Sequence, residues 1–256
     1  IVDDTLTEEA VAAIGRAFGT VVRRSGGKSI AVGYDGRISS VRLEAALCAG
    51  IRMAGVNVVS VGLGPSPMLY FASHTLGVDA GAMITGSHNP PKYNGIKMVL
   101  GHKSFYGDDI QELGRIVSEV DYEEGAGNTQ TQDVFETYIE RLLADFKPGT
   151  DLRVAWDPGN GSAGDVITSM TSQLPGTHFL INEEIDGTFP AHHPDPTVEK
   201  NLEQLKSLVA SENCDIGIAF DGDGDRIGII DSQGRVMWGD QLLVVLASEI
   251  LARKPG

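Results

Sequence analysis

Long hydrophobic runs are missing from this sequence. A membrane-spanning helix needs about 18 or more consecutive apolar residues, and the longest run here, Leu242 to Ala247, is far shorter and lies beside charges. No basic, apolar leader with small residues opens the chain, so a cytoplasmic protein is expected. Cysteine is scarce as well. Cys48 and Cys214 lie far apart, show no Cys-x-x-Cys spacing and sit among apolar neighbours, so both are expected to be buried free thiols. Positive charge is in deficit, with 20 Lys and Arg against 35 Asp and Glu, a net charge of −15. A nucleic-acid backbone would be repelled over most of such a surface. That argument concerns the average surface and leaves room for one basic pocket.

What remains is ample for real cores: 256 residues, 41% of them hydrophobic, enough for one large domain or two ordinary ones. The hydrophobic period switches between helix-like and strand-like, which predicts an α/β fold. Helical spacing runs from Thr7 to Arg24, with Glu8 and Glu9 where the helix dipole favours them. Then come a strand at Ser29 to Gly33, a helix at Ser40 to Ala54, a strand at Val56 to Val61 and a short helix. Strands at Ala80 to Ile84 and Gly95 to Leu100 precede two closing helices, the last at Thr131 to Phe146. The small, polar Gly125 to Asn128 reads as a loop, and the domain boundary is placed at Lys147-Pro148-Gly149-Thr150.

Beyond it the pattern restarts. A strand is predicted at Arg153 to Trp156, a helix after the turn Asp157 to Gly161, and a strand at His178 to Asn182. A helix at Val198 to Ser211, a strand at Asp215 to Phe220, a hairpin partner and a helix at Asp240 to Ala252 follow. The expectation is therefore two consecutive α/β domains, 1–147 and 148–256. Ile1 is not methionine, and Arg253-Lys254-Pro255-Gly256 reads as a helix end running into a linker, so a piece of a longer chain is expected. Both halves open with an apolar strand, an aspartate-containing glycine turn (Asp35, Asp157) and a helix, the pattern of an internal duplication. Because α/β folds bind ligands at the carboxyl ends of their strands, two such units would set their loops across one cleft.

Asp221-Gly222-Asp223-Gly224-Asp225 is the strongest chemical signal. Side chains two apart in extended chain point the same way, so the three carboxylates can converge, and the glycines permit a tight loop. Such carboxylates repel one another unless a cation neutralises them, and oxygen-only ligands select a hard ion such as Mg²⁺. An EF-hand would need Gly and Glu where Arg226 and Ser232 stand. A solvated acidic turn explains three alternating aspartates after a buried strand poorly.

Ser87 is the second signal, in Thr85-Gly86-Ser87-His88-Asn89-Pro90-Pro91. A hydrolase elbow needs Gly-x-Ser-x-Gly, and Thr85 and Asn89 occupy the outer positions; His88, adjacent in sequence, is badly placed to activate Ser87. Alone, this loop would be an ordinary turn. Beside the aspartates, a phosphorylated serine could offer a phosphate oxygen to the metal.

These two loops resemble the phosphoserine loop and the metal loop of the α-D-phosphohexomutases. Val32-Gly33-Tyr34-Asp35-Gly36-Arg37, Tyr93-Asn94-Gly95-Ile96-Lys97, Asp186-Gly187-Thr188-Phe189-Pro190 and His192-His193-Pro194-Asp195-Pro196 are further matches, in family order along the whole chain. The nearest branch is that of phosphomannomutase/phosphoglucomutase. The resemblance implies phosphohexomutase-type α/β/α domains with mixed sheets. It also implies four domains in the family, of which this chain matches the first two, without the sugar-binding and phosphate-binding loops of domains III and IV. Many relatives carry Arg where Tyr34 stands.

The implied activity is reversible transfer of phosphate between C6 and C1 of a hexose phosphate, with a hexose 1,6-bisphosphate as intermediate and activator. By resemblance Ser87 carries the phosphoryl group, and Asp221, Asp223, Asp225 and Ser87 ligate Mg²⁺. Lys97 and His88 are the other catalytic candidates, and Arg37, Arg226 and Asn89 the candidates for phosphate or substrate contact. His192 and His193 are expected to shape a loop rather than bind metal. The implied partner is a small sugar phosphate, with neither nucleic acid nor membrane, and nothing in the chain specifies an oligomeric state. Phosphoglucosamine mutase and a non-catalytic metal- or phosphate-binding module are the alternatives. The isolated chain is expected to have little or no turnover.

Overall fold

The computed structural model describes residues 1–147, 149 and 151–254. Pro148 and Thr150, half of the expected boundary, lie outside the described residues, as do Pro255 and Gly256 of the expected linker. Helix α1 (Glu8–Arg24) begins where the Thr7 hydroxyl accepts the Ala10 N–H, a side-chain cap that replaces a missing backbone partner. It is followed by β1 (Ser29–Tyr34), α2 (Ser40–Met53), β2 (Asn57–Leu63), α3 (Ser66–Thr75), β3 (Ala80–Ile84), β4 (Ile96–Leu100) and β5 (Lys103–Ser104). Helix α4 (Asp108–Glu119), β6 (Thr129–Thr131) and α5 (Phe135–Leu143) complete this part.

The six strands form a mixed sheet in the order β5-β4-β3-β1-β2-β6, parallel around β1 and antiparallel from β3 outward to β5. Alternation in the strands feeds two cores. Ile30, Val32 and Val58 pack with Phe18, Leu43, Leu47 and Ile51 of α1 and α2. Ala31, Val59 and Val61 face Met68, Leu69 and Ala72 of α3 and Ile139 of α5. Burying each large side chain such as Phe18 or Leu47 stabilises the fold by roughly 1.5–3 kcal/mol.

The second sheet comprises β7 (Arg153–Asp157), β8 (Thr177–Leu180), β9 (Ile216–Phe220), β10 (Ile227–Asp231) and β11 (Val236–Met237), in the order β11-β10-β9-β7-β8. Helix α6 (Gly164–Thr171) covers one face through Ile167, and α7 (Glu203–Ser211) covers the other through Leu205 and Val209. The last helix is α8 (Gly239–Arg253). No helix among the described residues is long and apolar enough to cross a membrane. Apart from β6, the two sheets share one plan. Each has a central strand with a parallel neighbour on either side, and the third strand turns back through an antiparallel hairpin. Strand β3 therefore corresponds to β9, and the loops that leave them occupy equivalent places.

Three expectations need correction. The helix expected from Thr131 starts at Phe135, because Thr129–Thr131 pair with β2 and the Asp133 carboxylate accepts the Phe135 N–H. The helix expected at Val198 to Ser211 opens instead with a 3₁₀ turn at Glu199–Leu202. The strand expected to reach Asn182 ends at Leu180, since Asn182 takes a left-handed φ of 55° and turns its amide to the Asp157 carboxylate.

Candidate active site

Ser87 follows β3 in a loop whose shape is imposed from inside. Its φ of 49° is unusual for a residue with a side chain and costs about 1–3 kcal/mol, which the surroundings must offset. The Ser87 N–H donates to Thr85 Oγ1 at 2.8 Å, and the Thr85 N–H donates to the Gly95 carbonyl at 3.0 Å. The main brace is Arg37, 2% exposed. Its Nε donates to Asp35 Oδ2 (3.2 Å), Nη1 to the carbonyls of Pro90 (2.8 Å) and Tyr93 (3.1 Å), and Nη2 to those of Ser87 (2.7 Å) and Asn89 (2.6 Å). A guanidinium has five N–H donors, and all five are used.

Arg37 is therefore not a phosphate-contacting cation, as the sequence suggested; no donor is left to reach a ligand. It holds the serine loop by its carbonyls, while Asp35 takes the Gly86 N–H at 3.1 Å and the Ser40 hydroxyl at 2.6 Å. A Cβ on Gly86 would lie 2.5 Å from Arg37 Nε and 2.7 Å from the Tyr93 carbonyl, so only glycine lets the loop close on its brace. Burial dominates the Asp35 carboxyl and raises its pKa, despite the opposing pull of Ser40 and Arg37.

The aspartate loop follows β9 and meets Ser87 directly. Ser87 Oγ donates to Asp221 Oδ2 at 2.8 Å, while Asp221 Oδ1 accepts the N–H groups of Asp225 and Arg226, each at 3.0 Å. A Cβ on Gly222 would stand 2.5 Å from the Ser87 carbonyl, which is how near the two loops come. Asp223 Oδ2 accepts from Lys97 Nζ at 2.6 Å and from the Ser66 hydroxyl. Lys97, which faces Met83 across the β3–β4 pair, also donates to Asp225 Oδ2.

One oxygen from each of Asp221, Asp223 and Asp225 lies within 4.8 Å of the others, so the three carboxylates could hold a metal ion. Asp221 and Asp223 are fully buried, whereas Asp225 is an exposed residue whose side chain alone is a quarter exposed. Burial, with the charge of Asp223 added, pushes the Asp221 carboxyl up to about 7. Burial also works against ionisation of Asp223, but the charge and hydrogen bond of Lys97, aided by Ser66, outweigh it and hold that carboxyl low. Desolvation likewise opposes the Lys97 ammonium, and the two aspartates more than compensate, keeping it charged. Asp223 Oδ1 is buried with no hydrogen-bond partner, one of two such side-chain atoms among the described residues. An orphaned carboxylate oxygen inside an all-oxygen donor set is what a hard divalent cation fits.

His88 Nδ1 stands 2.7 Å from Arg226 Nη1, a hydrogen-bond contact in which the guanidinium is the donor. It lies 3.5 Å from Ser87 Oγ, at the limit of a hydrogen bond; Asp221, not His88, takes the serine proton. Arg226 is half exposed, and Asn89, exposed, contributes its carbonyl to Arg37. Tyr34 packs partly buried against the first core. His192 spends both nitrogens locally, on Asp157 Oδ2 (2.9 Å) and the His193 carbonyl (3.0 Å). Sequence reasoning missed Ser66, whose only signal was a serine opening a helix at a strand's carboxyl end.

Family models agree with this architecture: that of phosphoglucomutase/phosphomannomutase alpha/beta/alpha domain I matches residues 1–124, and that of domain II residues 136–234. A phosphomannomutase/phosphoglucomutase of Pseudomonas aeruginosa is 38% identical over 256 residues, covering 100% of this chain and 55% of its own length. A phosphoglucomutase of Neisseria meningitidis serogroup A is 38% identical over 258 residues, with 100% and 56% covered. The crystal structure of a phosphoglucomutase/phosphomannomutase family protein from Burkholderia thailandensis matches with a TM-score of 0.95 at 41% identity, covering 99% of this chain and 57% of that one. The chain spans about half the length of the curated relatives it matches.

Proposed function

The chain belongs to the phosphoglucomutase/phosphomannomutase family, and on that premise we propose that it forms the phosphate-handling half of an enzyme interconverting hexose 1- and 6-phosphates. The observation that carries this reading is the 2.8 Å hydrogen bond from Ser87 Oγ to Asp221, which seats one nucleophilic oxygen against a three-carboxylate cluster at the ends of equivalent strands. In the forward half-reaction the P–O bond to Ser87 breaks as a bond to a sugar hydroxyl forms. The sugar oxygen gives up its proton, and Ser87 Oγ regains one. The resulting hexose bisphosphate turns over, and its other phosphoryl group returns to Ser87. Covalent chemistry asks little of the protein in such a transfer; alignment and charge neutralisation do the rest.

Asp221, Asp223 and Asp225 would hold Mg²⁺, which when bound supplies Lewis-acid charge to the transferring group. Lys97, kept protonated by its two aspartates, acts as a fixed positive charge beside the phosphoryl position. Arg226 and His88, bonded to each other beside Ser87, would meet the incoming phosphate; the 2.7 Å contact between them and the exposure of Arg226 support this role. Sugar choice belongs to elements outside these two domains. Assays of the complete gene product on glucose, mannose and glucosamine phosphates test the reading. Interconversion of 1- and 6-phosphates supports it; absence of mutase activity on all three would leave a binding module instead. The 256-residue chain alone is expected to turn over little, and near-normal rates from it would show that these domains suffice.

A further inference from the structure

The start of α3 belongs to the sheet that carries Ser87, yet it is bonded to the loop that carries the carboxylates. The Ser66 N–H donates to the Asp223 carbonyl at 2.8 Å, and the Ser66 hydroxyl donates to Asp223 Oδ2. Ser66 is completely buried, on the first turn of a ten-residue helix whose N-terminal dipole favours a carboxylate. Pro65 extends the chain into that turn and packs on the loop, for a Cβ on Gly224 would stand 3.1 Å from its Cβ. Lys97 takes the same Oδ2. Both donors therefore converge on one oxygen of Asp223, and the other, Oδ1, is buried and unpartnered.

Resting on the reading of Asp221, Asp223 and Asp225 as a cation site, we propose that Ser66 is a positioning residue that clamps Asp223 by one oxygen and so presents Oδ1 to the divalent ion. A buried carboxylate free to rotate would share both oxygens between Lys97 and the cation, and its binding geometry would be lost. The Ser66 bond removes that freedom, the service that groups behind a metal ligand commonly perform. The same bond also couples the halves of the site. Displacing the start of α3 from the metal loop would loosen the cation and shift the loop that touches Ser87.

The test uses the complete gene product with Mn²⁺ as the probe, its free concentration read by electron paramagnetic resonance, alongside kcat and KM for glucose 1-phosphate. Ser66→Ala and the size-conserving Ser66→Cys, a poor donor, are each expected to weaken Mn²⁺ binding by about tenfold or more. KM for the sugar phosphate should stay within about twofold, because Ser66 meets no substrate. Wild-type Mn²⁺ affinity in either folded variant overturns the proposal. Asp221→Asn separates it from the reading beneath. If Asp221→Asn loses Mn²⁺ while the Ser66 variants keep it, the cation site stands and the clamp falls. If Asp221→Asn binds Mn²⁺ like the wild type, both fall together.

Discussion

The Ser87 hydroxyl donates to Asp221 Oδ2 at 2.8 Å, joining residues 134 positions apart on loops that leave β3 and β9. Neither group is in contact with the other by accident of a flexible surface. Ser87 is 8% exposed and held from behind by the carbonyl bonds of Arg37, and Asp221 is anchored by two backbone N–H groups on its second oxygen. A hydroxyl fixed on one side and its acceptor fixed on the other form a preorganised pair.

Ser87→Ala should therefore lower mutase activity of the complete protein by orders of magnitude, since no other hydroxyl shares that position. The fold should survive, because the loop is braced through main-chain groups. Coupled assay of glucose 1-phosphate turnover measures the effect. Activity within a few-fold of wild type would remove the carrier role.

Asp223→Asn should weaken Mg²⁺ binding by about tenfold or more, through loss of a charged ligand with a free buried oxygen. Lys97 would lose one of its two carboxylate partners in the same variant. Isothermal titration with MgCl₂ reports it. An unchanged affinity would mean that the cation, if bound, sits elsewhere.

The contrast between the aspartate loop and Arg37 shows what a sequence makes legible. Alternating Asp and Gly is a local pattern from which the cluster could be read, although the carboxylates converge through a turn, closed by the Gly224 N–H on the Asp221 carbonyl at 3.0 Å, and not along extended chain. Arg37 and the loop it holds are 50 to 56 positions apart. Nothing near Arg37 in sequence distinguishes a guanidinium that caps carbonyls from one that awaits a phosphate. Ser66 and Asp223 are separated still further, by 157 positions. The central strands were legible through their apolar alternation, whereas β5, β6 and β11 have only two or three residues and exist because a neighbouring strand pairs with them.

Arg37→Lys follows from that reassignment. An ammonium offers three donors without the planar fork, so at least two of five acceptors would lose their partner and Asp35 would be left badly paired. Each buried acceptor left without a donor costs about 1–3 kcal/mol. The midpoint of urea unfolding should fall accordingly, and the amides of Gly86 and Ser87 should lose hydrogen-exchange protection. A variant with wild-type stability and a raised KM would instead return Arg37 to the role of phosphate contact.

The His192–Asp157 pair makes part of the stability pH-dependent. Burial opposes the imidazolium, but the hydrogen bond and charge of Asp157, with the His193 carbonyl, outweigh it and raise the His192 pKa above its usual value. A raised folded pKa means that the folded state holds the proton more tightly than the unfolded chain does. The stabilisation is then complete below about pH 6.5, where both states are protonated. It declines as the pH rises from there through the folded pKa, because the proton is then lost from the folded state too. His192→Asn removes this titration. The urea midpoint of the wild type should exceed that of His192→Asn by more at pH 6 than at pH 9. A difference that is equal at the two pH values, or larger at pH 9, would show that the pair holds this loop through geometry alone, without the charge.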